Sequence, residues 1–137
     1  MAALLCFGAL GCGDDSTGPE ATTLPELFGP QLYRADGTLV GVQALEDDAV
    51  IGIYFASPTC PACGGFTPLL VEAFNQLREN GSSFEVVLVS FSQVDSALLQ
   101  YMADSNMPWL AVPPERGPID ALAERYDVRW IPTLIVI

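Results

Sequence analysis

Apolar positions along the chain fall into two kinds of block that alternate. Residues 50–55 (V-I-G-I-Y-F) and 84–91 (F-E-V-V-L-V-S-F) are nearly unbroken apolar runs of strand length, the pattern of strands covered on both faces. Between them Phe66, Leu69, Leu70, Ala73, Phe74 and Leu77 recur at three- and four-residue spacing, which predicts one apolar stripe on a helix that ends near Asn80-Gly81. Pro68 interrupts that helix and is expected to kink it. Val94, Leu98, Leu99 and Met102 predict a shorter helix, and Ile119, Leu122, Ala123 and Tyr126 a third, with Pro118 suited to its first turn. A strand is expected to begin at Thr133. Alternating strands and helices imply an α/β fold around a parallel sheet. Upstream, Asp36-Gly37 between two short apolar segments marks a hairpin, and Glu46, Asp47 and Asp48 read as a solvated turn.

The N-terminus breaks this pattern. Residues 1–10 (M-A-A-L-L-C-F-G-A-L) are apolar and end in small residues. About ten residues are too few for a hydrocarbon core that takes roughly twenty, so the run reads as the h-region of a signal peptide. Polar, flexible sequence follows at once, the composition of a tether. The junction Gly11-Cys12 resembles the lipobox of bacterial lipoproteins, in which the cysteine is lipidated and becomes the mature N-terminus. The predicted organisation is a signal segment and lipobox over residues 1–12, a tether over 13–23 and one folded domain over 24–137. The implied location is the bacterial cell envelope, periplasm-facing and held to the membrane through lipidated Cys12. A soluble periplasmic or secreted form is the alternative.

Composition narrows the chemistry. Seventeen acidic residues against five basic ones give a formal charge of -12, which leaves nothing to release counterions from a phosphate backbone and argues against nucleic acid as a partner. The chain has no His and no Lys, which removes Ser-His-Asp and Cys-His catalysis, Schiff-base lysines, P-loops and most zinc sites. Cysteine is the leading option that remains.

Cys60 and Cys63 are separated by two residues in C-P-A-C, directly after a predicted buried strand and at the start of a predicted helix. That placement puts the first thiol where free N–H groups and the helix dipole favour its thiolate. Cys60 is therefore the expected nucleophile, with Cys63, one turn further on and more buried, resolving the mixed disulfide. No metal or organic cofactor is required. A C-x-x-C pair also serves zinc sites and inert disulfides, but zinc needs two more ligands from a chain without His.

The segment I-G-I-Y-F-A-S-P-T-C-P-A-C-G-G-F-T-P-L-L resembles the active-site strand and helix of thioredoxin-like proteins, specifically the nucleoredoxin and tryparedoxin branch. F-E-V-V-L-V-S-F, M-P-W-L-A-V-P and Y-D-V-R-W-I-P-T-L follow in the same order, so the resemblance covers roughly residues 27–137. It implies a thioredoxin fold, a mixed sheet flanked by helices, with one more strand and a closing helix after Ile137. It also implies Cys60 as attacking thiol, Cys63 as resolving thiol, Pro132 as a cis-proline beside them, and Ile131 as a backbone platform for an extended substrate. Thr59, Pro61, Ile131 and Pro132 are the implied substrate-facing residues. Thr59 stands where the branch usually has Trp, Ala62 replaces a second Pro, and Gly64 replaces an Arg. Tyr54 occupies the place of the buried acid of ordinary thioredoxins.

The resulting expectation is a protein-disulfide oxidoreductase, a reductase by branch, whose partners are protein thiols and disulfides and an upstream electron donor. A peptide-binding lipoprotein with a merely structural disulfide and a thiol peroxidase are the rivals. Trp109 and Trp130 read as core or rim packing residues. Glu72, Glu85 and the Glu46–Asp48 run read as solvated faces without a catalytic role.

Overall fold

The computed structural model describes residues 22–137, so the signal segment, Cys12 and most of the tether lie outside the described residues. The elements in chain order are α1 (Leu24–Phe28), β1 (Gln31–Tyr33), β2 (Leu39–Gly41), a 3-10 turn (Val42–Leu45) and β3 (Val50–Ala56). Next come α2 (Pro61–Glu79), β4 (Phe84–Ser90), α3 (Asp95–Asp104), β5 (Leu110–Ala111), α4 (Ile119–Arg125) and β6 (Thr133–Val136). One six-stranded sheet has the order β2-β1-β5-β4-β3-β6. β4 is parallel to β3 and β5, while β1–β2, β1–β5 and β3–β6 are antiparallel.

The two central strands bury both faces, as their unbroken apolar runs predict. Ile51, Ile53 and Phe55 of β3 and Val87 and Val89 of β4 pack with Phe28, Leu32, Val42, Leu45 and Leu122. Their alternates Tyr54, Ala56, Val86 and Leu88 pack with Leu70, Phe74, Leu98, Met102 and Trp109 on the opposite face. The strand period of two separates these sets cleanly. Each fully buried side chain of this size is worth roughly 1.5–3 kcal/mol relative to exposure.

Helix ends follow local chemistry. Thr23 and Glu26 form a capping box on α1. Asp95 and Glu115 exchange backbone-to-carboxylate bonds of 2.9 and 3.0 Å. Tyr33 donates to Asp95 Oδ2 at 2.8 Å, so this clamp joins the start of α3 to β1 and to the loop before α4. The hairpin turns through Gly37 at φ 90, with the Thr38 N–H donating to Asp36 Oδ1 at 2.9 Å.

The helix over Pro61–Glu79 runs through Pro68 and stops beside Asn80, as its apolar stripe predicts; the proline removes one donor, a loss a long packed helix tolerates. Two expectations need correction. Pro118 is the N-cap of α4 rather than part of its first turn. Glu85 is not on a solvated face: its side chain is only 13% exposed and lies 3.8 Å from Arg78 Nη1. As the second residue of β4, opposite Ile51 in the parallel register, it sits at the far end of the sheet from Cys60. The short α1, the 3-10 turn and β5 have too few residues for periodicity to reveal.

Burial pushes the Glu85 carboxyl above its ordinary range, against the opposing effects of the Val86 N–H and Arg78. A raised carboxyl means that the native state keeps this proton to higher pH than the unfolded chain, so stability falls as pH rises from the ordinary glutamate pKa through the raised one. We expect Glu85→Gln to flatten that part of the stability profile in denaturant titrations at stepped pH. An unchanged slope would count against the assignment.

Candidate active site

Strand β3 ends at Ala56, and the chain turns through residues 57–60 into α2. The turn is held locally: Thr59 N–H donates to Ser57 Oγ at 3.3 Å, the Ser57 and Thr59 hydroxyls meet at 3.1 Å, and Cys60 N–H donates to the Ser57 carbonyl at 3.2 Å. Cys60 is the N-cap of α2, with Pro61 in its first turn, where a missing N–H has no consequence. The Cys63 N–H donates to Cys60 Sγ at 3.1 Å. A sulfur at this position takes one of the free donors that open a helix and lies at the positive end of its dipole.

Cys60 and Cys63 are joined as a disulfide, with Cα atoms 5.3 Å apart. Their environments differ. Cys63 is completely buried, whereas Cys60 is partly exposed between Thr59 and Pro61, both on the surface. Access from outside therefore leads to Cys60 first. The Ile131–Pro132 peptide is cis, as the sequence resemblance implies. The Ile131 carbonyl oxygen lies 3.9 Å from Cys60 Sγ, which brings the segment before β6 against the disulfide. Gly64, in the next turn of α2, has no atom within 4 Å of the place a Cβ would take, so the rim beside Cys60 is open.

Behind the disulfide the polar groups are hydroxyls. Thr67 donates to the Cys63 carbonyl at 2.8 Å, and the Tyr54 and Thr67 oxygens are 2.7 Å apart. Thr67 has one hydroxyl proton, already given to Cys63, so Tyr54 is the donor of that second bond. Burial holds the Tyr54 phenol above its ordinary pKa, and it stays neutral as a donor. Its ring meets Trp109 edge-on at 6.1 Å and Phe66 at 5.6 Å. Tyr101 brings a third buried hydroxyl, without a hydrogen-bond partner among the described residues, and lines a cavity of about 390 Å³ beside Cys60 and Gly64. Among the described residues no group of three potential metal ligands is brought together.

The structure thus gathers Thr59, Cys60, Pro61, Cys63, Ile131 and Pro132 at one end of the sheet. Sequence reasoning missed Thr67. The available signal was its position four residues after Cys63, one helical turn away, where a Thr hydroxyl reaches back to that residue's carbonyl. Trp109 is a core residue at 1% exposure, and Trp130 stands on the rim at 75%.

A family model described as Thioredoxin-like matches residues 48–137. Nucleoredoxin of Bos taurus is 37% identical over 136 residues, 95% of this chain and 30% of its own length. The tryparedoxin of Trypanosoma brucei brucei is 38% identical over 74% of this chain and 64% of its own. The chain therefore spans about a third of the length of the nucleoredoxins it matches. Among solved structures, a thioredoxin from Wuchereria bancrofti superposes with a TM-score of 0.71 at 36% identity, covering 78% of this chain and 74% of that one. Native tryparedoxin I from Crithidia fasciculata gives 0.69 at 35% identity, with 83% and 75% covered. With the fold, the C-P-A-C pair at the head of α2 and the cis-proline segment beside it all in agreement, this chain belongs to the thioredoxin-like family.

Proposed function

We propose that this protein is a thiol-disulfide oxidoreductase that reduces protein disulfides. The observation that carries the reading is the asymmetry of the pair: a partly exposed Cys60 capping a helix and a completely buried Cys63 behind it. In the reduced protein the Cys60 thiolate attacks one sulfur of a substrate disulfide. A new S–S bond forms, the substrate S–S bond breaks, and the second substrate sulfur leaves as a thiolate that takes up a proton. Cys63 then loses its proton and attacks Cys60 Sγ, which expels the first substrate sulfur as a thiol. Two electrons pass from the dithiol to the substrate, and the Cys60–Cys63 disulfide remains. An external dithiol donor of electrons must restore it.

The hydroxyl pair behind the site supports the resolving residue. With Tyr54 neutral and donating, it is no base for Cys63; it holds Thr67, and Thr67 holds the Cys63 carbonyl, which fixes the first turn of α2 under the disulfide.

The location proposed with this activity is the cell envelope, with the chain anchored through Cys12. It is supported by the apolar run over residues 1–10, the small residue before Cys12 and the polar tether after it. Among the described residues no helix is long and apolar enough to cross a membrane.

Three outcomes test these statements. With dithiothreitol as donor, the wild-type chain is expected to reduce a protein disulfide. Cys60→Ser should lose at least about a hundredfold in rate, and Cys63→Ser, reduced beforehand and freed of dithiothreitol before the substrate is added, should accumulate a mixed disulfide through Cys60 visible by mass spectrometry; if none accumulates, the enzymatic reading is wrong. Thr67→Val leaves the buried Tyr54 hydroxyl unpaired, at a cost of about 1–3 kcal/mol in denaturant unfolding. Adding Tyr54→Phe should recover part of that loss, and strictly additive effects would disprove the coupling. Expressed at full length in a bacterium with an envelope, the chain should sediment with membranes and Cys12→Ser should move it to the soluble fraction. Identical fractionation of the two forms would refute the anchor.

A further inference from the structure

Between the start of α2 and the end of α3 the surface beside the disulfide is built from hydrogen-bond acceptors. Cys60, Gly64, Tyr101, Asp104 and Ser105 line the cavity of about 390 Å³, to which neither Ile131 nor Pro132 contributes. Gly64, Asp104 and Ser105 also line a second cavity of about 350 Å³ further along α2, together with Thr67, Pro68 and Asn106. Asp104 is therefore a wall of the cavity that Cys60 lines and of the one next to it.

Three features give this place negative character. Pro68 has no N–H, so the Gly64 carbonyl, four residues earlier in α2, lacks its helical donor, and both residues line the second cavity. Helix α3 has no basic residue in its last turn and ends in Asp104, with Ser105 as its C-cap. A carboxylate at the negative end of a helix dipole is an unfavourable pairing, and a bound cation relieves it. Gln100 Nε2 donates to Asp104 Oδ1 at 2.8 Å, and among the described residues Asp104 takes part in no ion pair. None of the five arginines lines either cavity. The approach is open as well, because a side chain at Gly64 would meet nothing within 4 Å.

We propose that Asp104, the Gly64 carbonyl and the end of α3 form a cation subsite that receives the ammonium or guanidinium of a Lys or Arg flanking the reacting cysteine of the partner polypeptide. The inference rests on the oxidoreductase reading and adds a charge preference to it. Both cationic groups carry several donors and no acceptor, the complement of a wall of carboxylate and carbonyl oxygens. Complementarity of this kind governs selectivity and encounter more than raw affinity, and salt screens it. The formal charge of -12 attracts cations to the whole surface, so the experiment must separate the local effect from the global one.

The test uses the full chain, reduced and freed of reductant, and three disulfide-linked peptides that differ only at the residue beside the cysteine: Lys, Gln or Glu. Each single-turnover rate constant is divided by that of free dithiothreitol with the same peptide, which removes differences in intrinsic disulfide reactivity. At low salt, wild type is expected to favour the Lys peptide over the Gln peptide at least about threefold, and about 0.5 M salt should erase most of that preference. Asp104→Asn, which keeps the side-chain shape, should bring the ratio near one, and Asp104→Lys should favour the Glu peptide. Glu79→Gln removes the same charge from the far end of α2 and should leave the ratio unchanged. A wild-type ratio near one, an undiminished Lys preference in either Asp104 variant, or an equal fall in Glu79→Gln overturns the subsite. If wild type reduces none of the three peptides, the oxidoreductase reading fails separately. Titration of the same peptides with Ser in place of Cys, followed by the amide NMR signals of Gly64 and Ser105, then still decides: equal affinities overturn the subsite, and a Lys preference that is lost in Asp104→Asn upholds it.

Discussion

The parallel pairing of β3 with β4 is the constraint on which the site depends. The two strands run in register from Val50 opposite Phe84 to Ala56 opposite Ser90, so they finish at the same level and release their chains side by side. Because both are buried on both faces, a one-residue slip would exchange the side chains packed under α2 for those packed under α4. The antiparallel β6 starts at the same level, with Thr133 opposite Phe55. Three separate loops thereby meet at one edge of the sheet: the turn into Cys60, the turn through Phe91 and the segment ending in cis Pro132. In sheets of this kind the carboxyl ends of parallel strands are where ligands are received, and here the hydrophobic core beneath fixes that edge.

Much of this was legible in the sequence, and for physical reasons. Val50–Phe55 followed after four residues by C-P-A-C and then by a helical apolar stripe places the first thiol in the short turn between a buried strand and the next helix. The helical stripe from Phe66 to Leu77 was equally plain because it spans several turns. What stayed hidden depends on contacts between residues distant in sequence. Glu85 looks like any strand-edge carboxylate until Arg78 and Asp48 are seen to enclose it. Trp109 and Trp130 are alike on paper and opposite in the structure. Strand β5 has two residues and exists only because β4 and β1 offer it hydrogen bonds on both sides.

Among the described residues the hydrogen-bonded groups directly behind Cys63 are hydroxyls rather than carboxylates, in a chain whose formal charge is -12. The acids are spent elsewhere: Asp95 and Glu115 clamp α3, Asp36 pins the hairpin, and Glu85 meets Arg78 at the distant end of the sheet. Around Cys63 hydroxyls replace them. A neutral donor network can hold backbone in place without the like-charge repulsion that a buried carboxylate would exert on a developing thiolate.

Gly64 gives the molecule a place where recognition and folding are separable. It lies one turn into α2, next to Cys60, and a side chain there would meet nothing. Substitution at this position therefore leaves the packed layers undisturbed and, in an exposed helix interior, gains helix propensity over glycine. Residues with charge, bulk or hydrogen-bonding groups can be exchanged there beside the same disulfide and the same core. For descent with modification that is a neutral corridor beside the C-P-A-C pair: a lineage can change the surface there one residue at a time, while the helix that seats the two sulfurs and the core beneath it are inherited intact.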